Sequence, residues 1–410
     1  MSHAPSSPLL PGERFDAGQP MTLGVMGGGQ LGRMFVHAAQ RMGYFTAVLD
    51  PDADSPAGRV SHHHVATGYL DDAGLAQLAA CSAAITTEFE NVPAPALAAL
   101  ARTRPVAPGA EAVAIAQDRA REKAHFVRCG VPCAPHAVIE TPAQLAAVAD
   151  ALLPGILKTA RLGYDGKGQA RVRTRAELAA AWDDLKRVPC VLEKRLPLAA
   201  ELSVIVARGR DGQVVHFAPQ RNLHRDGILA VTEAVAGNLP AVLVQQAVEA
   251  TVAVARGIDY VGVLCVEFFV LADGALVVNE MAPRPHNSGH YTMDACDQSQ
   301  FDLQVRTLAG LPLVPPRQHS PAVMLNLLGD VWFEGTDPAA PARTPPWAQV
   351  LALPGTHLHL YGKLDARRGR KMGHLNVTGA SAEAVRATAL QAAALLGIEA
   401  FAFDPLPSLP

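Results

Sequence analysis

Short apolar segments alternate with helical stretches in the first part of the chain. The segments TLGVMG, FTAVLD and AAITTEF follow Met21 in turn, and a helical pattern from Gln30 to Met42 separates the first two. This alternation is typical of a parallel β-sheet whose strands are connected by helices. It predicts an N-terminal α/β domain over residues 21–117. The preceding residues 1–20 are rich in Pro, Ser and Gly and are expected to form a disordered tail.

Later segments have the pattern of antiparallel hairpins. ILKTA and ARVR flank the glycine-rich turn GYDGKGQ, ELSVIVARG and GQVVHFAPQ meet at Asp211-Gly212, and VGVLCVEFFVL and ALVVNE meet at Asp273-Gly274. An Asp-Gly pair between apolar runs is a strong short-range signal of a hairpin. Helices are predicted near residues 176–185, 243–256 and 382–396. The central part of the chain is therefore predicted to be α+β.

Two glutamates fall opposite each other in the last of these hairpins. Glu267 lies six residues before Asp273 and Glu280 six residues after Gly274, so a two-residue loop pairs them on one face. Like charges directly opposite destabilise a sheet, whereas a hard divalent cation bound by carboxylates and substrate phosphates removes the conflict. We predict that Glu267 and Glu280 hold such a cation. The alternatives are a one-residue bulge that separates them, or a solvated sheet edge.

Composition excludes several classes of function. With 410 residues, 49% hydrophobic and 18% charged, the chain has the composition of a soluble globular protein of two or three domains. A formal charge of −3 gives no reason to expect nucleic acid or an acidic membrane as partner. No segment approaches the roughly 20 apolar residues of a membrane span. The six scattered cysteines are typical of reduced thiols in a cytoplasmic protein.

The first glycine-rich loop is a weak signal. Gly27, Gly29 and Gly32 match GxGxxG after a strand, and Asp50 ends the next strand about twenty residues later. This spacing fits a dinucleotide fingerprint, but a phosphate or ribose of another substrate would suit the same turn.

The second glycine-rich loop is more specific. Lys158 closes a strand, and Gly163–Gln169 contains three glycines and a lysine between two strands. Such a loop can fold over a triphosphate with its backbone N–H groups and its ammonium. It is not a Walker A loop, because no helix or Lys-Ser/Thr follows. An ordinary polar hairpin turn is the alternative.

Hydrogen-bond donors are concentrated just beyond the glutamate hairpin. Pro283 and Pro285 fix the backbone there, and an arginine in such a loop can hold a carboxylate or phosphate with two bonds. The donors are Arg284, His286, Asn287, Ser288 and His290. The alternative is a solvated loop. The run His62–His64 is expected in a solvated loop rather than at a metal, because adjacent side chains diverge.

Taken in order, these motifs resemble the ATP-grasp ligases and, within them, the N5-carboxyaminoimidazole ribonucleotide synthetases. The motifs that carry the resemblance are GGGQLGRM (27–34), TTEFENVP (86–93), QDRAREK (117–123), GYDGKGQ (163–169), ELSVIVAR (201–208), NLHRDGIL (222–229), APRPHNSGHYTMDAC (282–296) and GRKMGHLN (369–376). Together they are far more specific than any single motif.

The resemblance implies a three-part fold. Its parts would be a Rossmann-like pre-ATP-grasp domain over residues 21–117, a two-lobed ATP-grasp domain over 118–312 (small lobe about 118–192, large lobe about 193–312) and a small C-terminal domain over 313–410.

The resemblance also implies roles for individual residues. Nucleotide binding falls to Arg119, Lys158, Gly163, Tyr164, Asp165, Gly166, Lys167, Gly168, Gln169, Glu193, Lys194, Arg195, Leu196, Glu201, His224, Asn279 and Glu280. The ribonucleotide would lie near Gln30, Glu88, Tyr164, Asp165, Arg284, Asn287, Ser288, Lys363 and Arg370. Arg284, His286 and Lys363 would be catalytic, and Glu267 and Glu280 would hold Mg²⁺, with two ions expected.

The implied activity is ATP-dependent carboxylation of 5-aminoimidazole ribonucleotide by bicarbonate in purine biosynthesis, carried out by a homodimer. Departures from the family pattern are few: Leu162 stands where many relatives have glycine, and Arg367-Arg368 where many have Arg-Pro. Three alternatives stay open. They are a sister enzyme that activates formate or another carboxylate, a nicotinamide dehydrogenase using the first glycine loop, and a nucleotide-binding module without activity.

Overall fold

The computed structural model of the protein describes residues 7–16, 18–163, 168–335 and 341–406. Four of the residues assigned to nucleotide or substrate, 164–167, lie outside the described residues.

In the described residues of the N-terminal arm, 7–16 and 18–20, two paired strands are present where a disordered tail was predicted. Strands β1 (Arg14–Phe15) and β2 (Gln19–Pro20) pair with each other. Phe15 is buried in the core of the N-terminal domain, and the Leu9 N–H donates to the Ala309 carbonyl at 2.8 Å. The arm is ordered because its apolar side chains find a core, which an average over Pro, Ser and Gly does not reveal.

The N-terminal domain is the predicted parallel α/β unit. Its sheet has the order β5-β4-β3-β6. The elements are β3 (Thr22–Met26), α1 (Gln30–Arg41), β4 (Phe45–Leu49), β5 (His63–Val65), α2 (Asp72–Ala80), β6 (Ala84–Thr87), α3 (Ala94–Leu100) and α4 (Ala110–Ala116). His63 and His64 lie in edge strand β5, so the expected loop is wrong, whereas His62 and His63 are exposed to solvent as expected.

The small lobe is an antiparallel sheet in the order β7-β10-β8-β9. Its elements, with the helix that precedes it, are α5 (Arg119–Arg128), β7 (His136–Ile139), α6 (Pro142–Ala146), β8 (Gly155–Thr159), β9 (Gln169–Val172), α7 (Arg175–Asp184) and β10 (Cys190–Lys194). Lys158 pairs with Gln169, so the second glycine-rich loop connects two antiparallel strands, as predicted.

The rest of the chain forms one nine-stranded sheet, in the order β16-β15-β11-β13-β14-β17-β19-β18 with β12 beside β11. The strands are β11 (Leu198–Arg208), β12 (Val214–His216), β13 (Gln220–Arg225), β14 (Ile228–Ala234), β15 (Gly262–Leu271), β16 (Leu276–Ala282), β17 (Ala322–Leu328), β18 (Thr356–Leu360) and β19 (Lys371–Thr378). The helices are α8 (Ala241–Gly257), α9 (Thr292–Ala295), α10 (Gln300–Ala309), α11 (Trp347–Leu351) and α12 (Ala382–Leu396). Because β17 pairs with β14, the strands after residue 313 continue the sheet of the large lobe. A domain boundary near residue 313 stays a prediction.

The glutamate hairpin reaches its predicted register by an unexpected route. The connection is one residue longer than predicted, since the Leu271 N–H donates to the Ala275 carbonyl at 2.8 Å. A register shift then follows between Glu267 and Phe268, where β16 has one extra residue. The two irregularities cancel, and Glu267 faces Glu280 directly. Among the described residues, no helix is both long and apolar enough to cross a membrane.

Candidate active site

A cleft of about 830 Å³ opens between the small lobe and the large sheet. This volume lies in the range of small-molecule and cofactor sites. Predicted nucleotide residues that line it are Arg119, Lys158, Gln169, Glu193, Lys194, Arg195, Leu196, Glu201, His224, Asn279 and Glu280. Gly163 lies instead in a neighbouring chamber, and Gly168 takes a left-handed conformation (φ +70°) at the start of β9. The cleft therefore brings together side chains that lie far apart along the chain.

Two lysines converge on one glutamate in the cleft wall. Glu193 Oε2 lies 3.2 Å from Lys158 Nζ and 3.4 Å from Lys123 Nζ, and all three side chains are buried. Burial lowers the pKa of Lys158, and the nearby Lys123 and Arg119 lower it further. Lys123 also donates to the Asn279 carbonyl at 3.1 Å, which ties helix α5 to strand β16. This cluster concentrates positive charge where an anionic ligand would bind.

His224 and Glu201 form a close ion pair on the opposite wall. Burial lowers the pKa of His224, but the hydrogen bond to Glu201 and the charge of Glu267 outweigh burial and raise it to about 9. The imidazole is therefore cationic near neutral pH.

Glu267 and Glu280 have different environments although they face each other. Burial is the main reason that the pKa of Glu267 rises to about 7, and the charge of Glu280 adds to it. Burial also acts on Glu280, but Arg119 and Lys158 outweigh it and leave its pKa below the ordinary value. Arg119 Nη1 donates to Glu280 Oε2 at 3.0 Å.

The pair fits a magnesium site of the kind in which substrate phosphates complete the coordination. Mg²⁺ is usually held by one or two carboxylates together with substrate phosphates and water. Within the described ranges, no group of three or more His, Cys, Asp or Glu side chains is arranged to hold a metal. The two facing carboxylates supply the one or two protein ligands that such a site needs, and a cation between them would offset their repulsion.

Two smaller cavities continue the cleft toward the N-terminal domain. A chamber of about 130 Å³ shares Arg119, His224, Glu267 and Glu280 with the cleft. A cavity of about 310 Å³ lies beyond it. The residues common to the chamber and this outer cavity are Glu90, Asn91, Arg284, His286, Asn287 and Lys371. The chamber therefore shares one wall with the nucleotide cleft and another wall with the outer cavity.

The backbone N–H groups of the first glycine-rich loop donate to carboxylates of the protein itself. Gly28 N–H donates to Asp50 Oδ2 at 2.7 Å, and Gly29 and Gly32 donate to the two oxygens of Glu88 at 2.9 and 3.0 Å. The N–H groups that a dinucleotide pyrophosphate would need are thus already bound to carboxylates. The geometry gives the dehydrogenase alternative no support, and the loop instead fixes Glu88 at the edge of the outer cavity.

The remaining predicted residues occupy different positions around the outer cavity. Gln30, Glu88, Arg284 and Asn287 line it. Lys363 is one layer behind, where its Nζ donates to Gln30 Oε1 at 2.7 Å. Burial lowers the pKa of Lys363 to about 8, and Arg370 adds to the effect.

Two further predicted side chains point elsewhere. Arg370 donates to the Asp365 carbonyl at 2.9 Å. Ser288 is fully buried, and its hydroxyl bonds inside the sheet.

Residues that were not predicted also contribute to the site, among them Lys371, Glu90, Glu122 and Lys123. Lys371 lines both smaller cavities, and Arg284 donates to Glu90 through Nε at 3.0 Å. Glu122 Oε1 accepts from the Met281 N–H at 2.7 Å, and burial raises the pKa of Glu122 to about 8. The fourth is Lys123 of the lysine pair. All four lie inside motifs noted above, but a motif alone does not tell which of its side chains face a cavity.

Models of three protein families match successive parts of the chain. They are the ribonucleotide synthetase preATP-grasp domain over residues 20–117, the ATP-grasp domain over residues 124–301, and the phosphoribosylaminoimidazole carboxylase C-terminal domain over residues 322–388.

Characterised relatives and solved structures match along most of their length. The N5-carboxyaminoimidazole ribonucleotide synthase of Brucella melitensis biotype 1 is 45% identical over 361 residues, which cover 86% of this chain and 95% of the relative. The N5-carboxyaminoimidazole synthetase of Staphylococcus aureus complexed with ADP superposes with a TM-score of 0.83 at 35% identity, covering 93% and 99% of the two chains. The Aspergillus clavatus synthase in complex with ADP and 5-aminoimidazole ribonucleotide has a TM-score of 0.83 at 32% identity, covering 92% and 98%.

Proposed function

The chain belongs to the N5-carboxyaminoimidazole ribonucleotide synthase family of ATP-grasp ligases, and from this premise we propose that it carboxylates 5-aminoimidazole ribonucleotide with bicarbonate while ATP becomes ADP and phosphate. The product is N5-carboxyaminoimidazole ribonucleotide, an intermediate of purine biosynthesis.

The observation that carries the proposal is the small chamber between two larger cavities. It shares both candidate metal carboxylates with the nucleotide cleft, and it shares Arg284 and His286 with the outer cavity. ATP in the cleft would point its γ-phosphoryl group at bicarbonate in the chamber, and the substrate amine would approach from the outer cavity. A labile intermediate that forms and reacts within adjoining cavities is less exposed to bulk water, as this chemistry requires.

The chemistry follows from the charges around these spaces. A bicarbonate oxygen attacks the γ-phosphorus and the bond to ADP breaks, which gives carboxyphosphate. Arg119 and Lys158 lie where they can stabilise the negative charge on the transferring phosphoryl group. Mg²⁺, held by Glu267 and Glu280, supplies further charge neutralisation when it is bound.

The second half of the reaction would occur beside Arg284 and His286. Carboxyphosphate releases phosphate and CO₂, and the exocyclic nitrogen of the substrate bonds to the carbon of CO₂ and loses a proton. The Arg284 guanidinium, held by Glu90, is positioned to orient the carboxylate. Burial and the Arg284 charge keep the pKa of His286 well below its ordinary value, so the imidazole is neutral.

Three finer assignments rest on the family resemblance. We propose that two Mg²⁺ ions take part, that the enzyme is a homodimer, and that it works in the cytoplasm. The individual roles of Gln30, Asn287 and Lys363 toward the ribonucleotide are proposals of the same kind, whereas the contacts of Ser288 and Arg370 do not support such roles.

ADP release measures the proposed activity directly. The purified enzyme is given ATP and Mg²⁺ with bicarbonate plus 5-aminoimidazole ribonucleotide, and in parallel with formate plus glycinamide ribonucleotide. We expect ADP only with the first pair. ADP formation only with the second pair would contradict the proposal and would indicate a formate-activating ligase instead.

A further inference from the structure

Four buried polar side chains, three from the large sheet and one from the loop after β16, form a line that ends at His286. Thr232 Oγ1 donates to Asn222 Oδ1 at 3.0 Å, and Asn222 Nδ2 donates to Ser203 Oγ at 2.8 Å. Ser203 Oγ donates to Ser288 Oγ at 2.8 Å, and Ser288 Oγ lies 2.8 Å from His286 Nδ1. In the described part of the chain, none of these four side chains lines the three cavities of the site. The side-chain contact between the line and the cavity walls is made through His286.

The direction of these bonds is determined at the imidazole. The backbone N–H of Ser288 can only donate, and it lies 3.3 Å from His286 Nδ1. Nδ1 is therefore an acceptor, and the single proton of the neutral ring resides on Nε2. The Ser288 hydroxyl then donates to Nδ1 and must itself accept from Ser203. Each further bond follows with the same polarity, so every buried group in the line is satisfied.

The opposite nitrogen of the ring faces the metal carboxylates. His286 Nε2 lies 3.3 Å from Glu267 Oε1, and its ring lines the chamber. A proton on Nε2 can be donated to an oxygen, whereas a bare nitrogen there would face a carboxylate oxygen lone pair. Both ends of the ring thus favour the same tautomer.

The backbone of the same loop is held independently. Gln300 Oε1 accepts from the His286 N–H at 2.8 Å, and Gln300 Nε2 donates to the His286 carbonyl at 2.8 Å. Because Gln300 holds the backbone of His286, the Ser288 hydroxyl is needed only to orient the imidazole ring. Removing it should alter the imidazole without displacing the loop.

We propose that Ser288, backed by Ser203, is the positioning residue of His286: it keeps the proton on Nε2 and directs that N–H into the chamber as a donor to an oxygen of bicarbonate. The identity of the anion rests on the proposed function, whereas the tautomer does not.

The tautomer can be measured without any substrate. Full-length protein labelled with ¹⁵N-histidine is examined by two-bond ¹H–¹⁵N correlation, and the His286 signals are identified by their absence from a His286→Asn variant. We expect the Nε2–H form in the wild type and a mixture with the Nδ1–H form in Ser288→Ala. An Nδ1–H imidazole in the wild type, or an unchanged spectrum in Ser288→Ala, would overturn the proposal.

A matched variant controls for the loss of a buried hydroxyl. Ser82 is fully buried in the N-terminal domain, and its Oγ has no hydrogen-bond partner among the described residues. Ser82→Ala should leave the His286 signals unchanged. If Ser288→Ala does not fold, Ser203→Ala removes the next donor in the line and is expected to change the His286 signals in the same direction, by less; an unchanged spectrum there also overturns the proposal.

Kinetics separates positioning from general damage. For Ser288→Ala we expect kcat/KM for bicarbonate to fall about tenfold or more, as when the outer partner of a histidine ligand is removed. KM for ATP should stay within about twofold, because the nucleotide cleft is untouched. Equal losses for both substrates would overturn the positioning role. A wild type inactive with bicarbonate and 5-aminoimidazole ribonucleotide would reject the proposed function, and the tautomer measurement would still decide this inference.

Discussion

Replacing Glu280 by glutamine is the sharpest test of the metal assignment, because the change keeps the shape of the side chain and removes its charge. Two opposing effects act on folding. Arg119 loses a charged partner at 3.0 Å, which costs about 5.5 kcal/mol at an effective dielectric constant of about 20. Glu267 loses a like charge about 5 Å away, which relieves about 3.3 kcal/mol on the same scale. The free energy of unfolding should therefore fall by only about 2 kcal/mol.

Activity should respond very differently. A divalent cation stabilises the transition state of phosphoryl transfer by several kcal/mol, so losing one of its two carboxylates should slow ADP release about a thousandfold. Binding of ADP gives a second measurement that does not depend on turnover. In the wild type, Mg²⁺ should strengthen ADP binding in calorimetry, and in Glu280→Gln this effect should largely disappear.

Glu249→Gln is the matched control. Glu249 is exposed on α8, and its carboxylate accepts a hydrogen bond from the Gln245 side chain at 2.9 Å. It should retain full activity and the full Mg²⁺ effect. Near-normal turnover of Glu280→Gln would refute the metal assignment. A fall in its melting temperature of more than about 10 °C would refute the charge balance.

Three further predictions follow from other contacts. His224→Gln should lower the free energy of unfolding by about 2 kcal/mol below pH 6.5, and this loss should vanish as pH rises through about 9, because only the protonated ring pairs with Glu201. Denaturant unfolding at several pH values measures the difference between the variant and the wild type. A difference that does not depend on pH would contradict the prediction. Phe15→Ala should lower the free energy of unfolding by about 3 kcal/mol in denaturant titration, since the ring is buried in the N-terminal core; no change would mean that the arm is dispensable. Glu90→Gln should reduce kcat/KM for bicarbonate about tenfold in the ADP assay, because Arg284 loses the charge that orients it, and unchanged kinetics would exclude that role.

Periodicity predicted the regular elements well. The helical pattern 382–396 corresponds to α12 at Ala382–Leu396, and the pattern from Gln30 corresponds to α1. These elements are legible because an apolar face repeats with a fixed period, and turn residues mark where it stops. The α/β class of the N-terminal domain was predicted correctly for the same reason, whereas the three-part architecture was predicted from the family resemblance.

The pairing of Glu267 with Glu280 was predicted correctly, but two features of the hairpin that produce it were not predicted. Asp-Gly indicated the hairpin, but neither the longer connection nor the extra residue in β16 leaves a local signature. A bulge depends on what both strands pack against, so it cannot be derived from one strand alone. The line of Thr232, Asn222, Ser203 and Ser288 escaped prediction because its members come from three strands and a loop. The ordered arm escaped because Leu9 and Phe15 find their partners far along the chain.

The pairing of β14 with β17 has a mechanical consequence. Strand β14 lies beside β13, which carries His224, and β17 belongs to the chain beyond residue 313. The nucleotide wall and the C-terminal strands are thus one hydrogen-bonded plate, and bending it would break backbone bonds across several strands. The small lobe has its own sheet and joins the plate through two stretches of chain, one between β10 and β11 and one between α5 and β7, where the Val278 N–H of β16 donates to the Pro132 carbonyl at 2.8 Å. When a ligand enters the cleft, we therefore expect the small lobe to rotate toward the large sheet while the sheet itself keeps its shape.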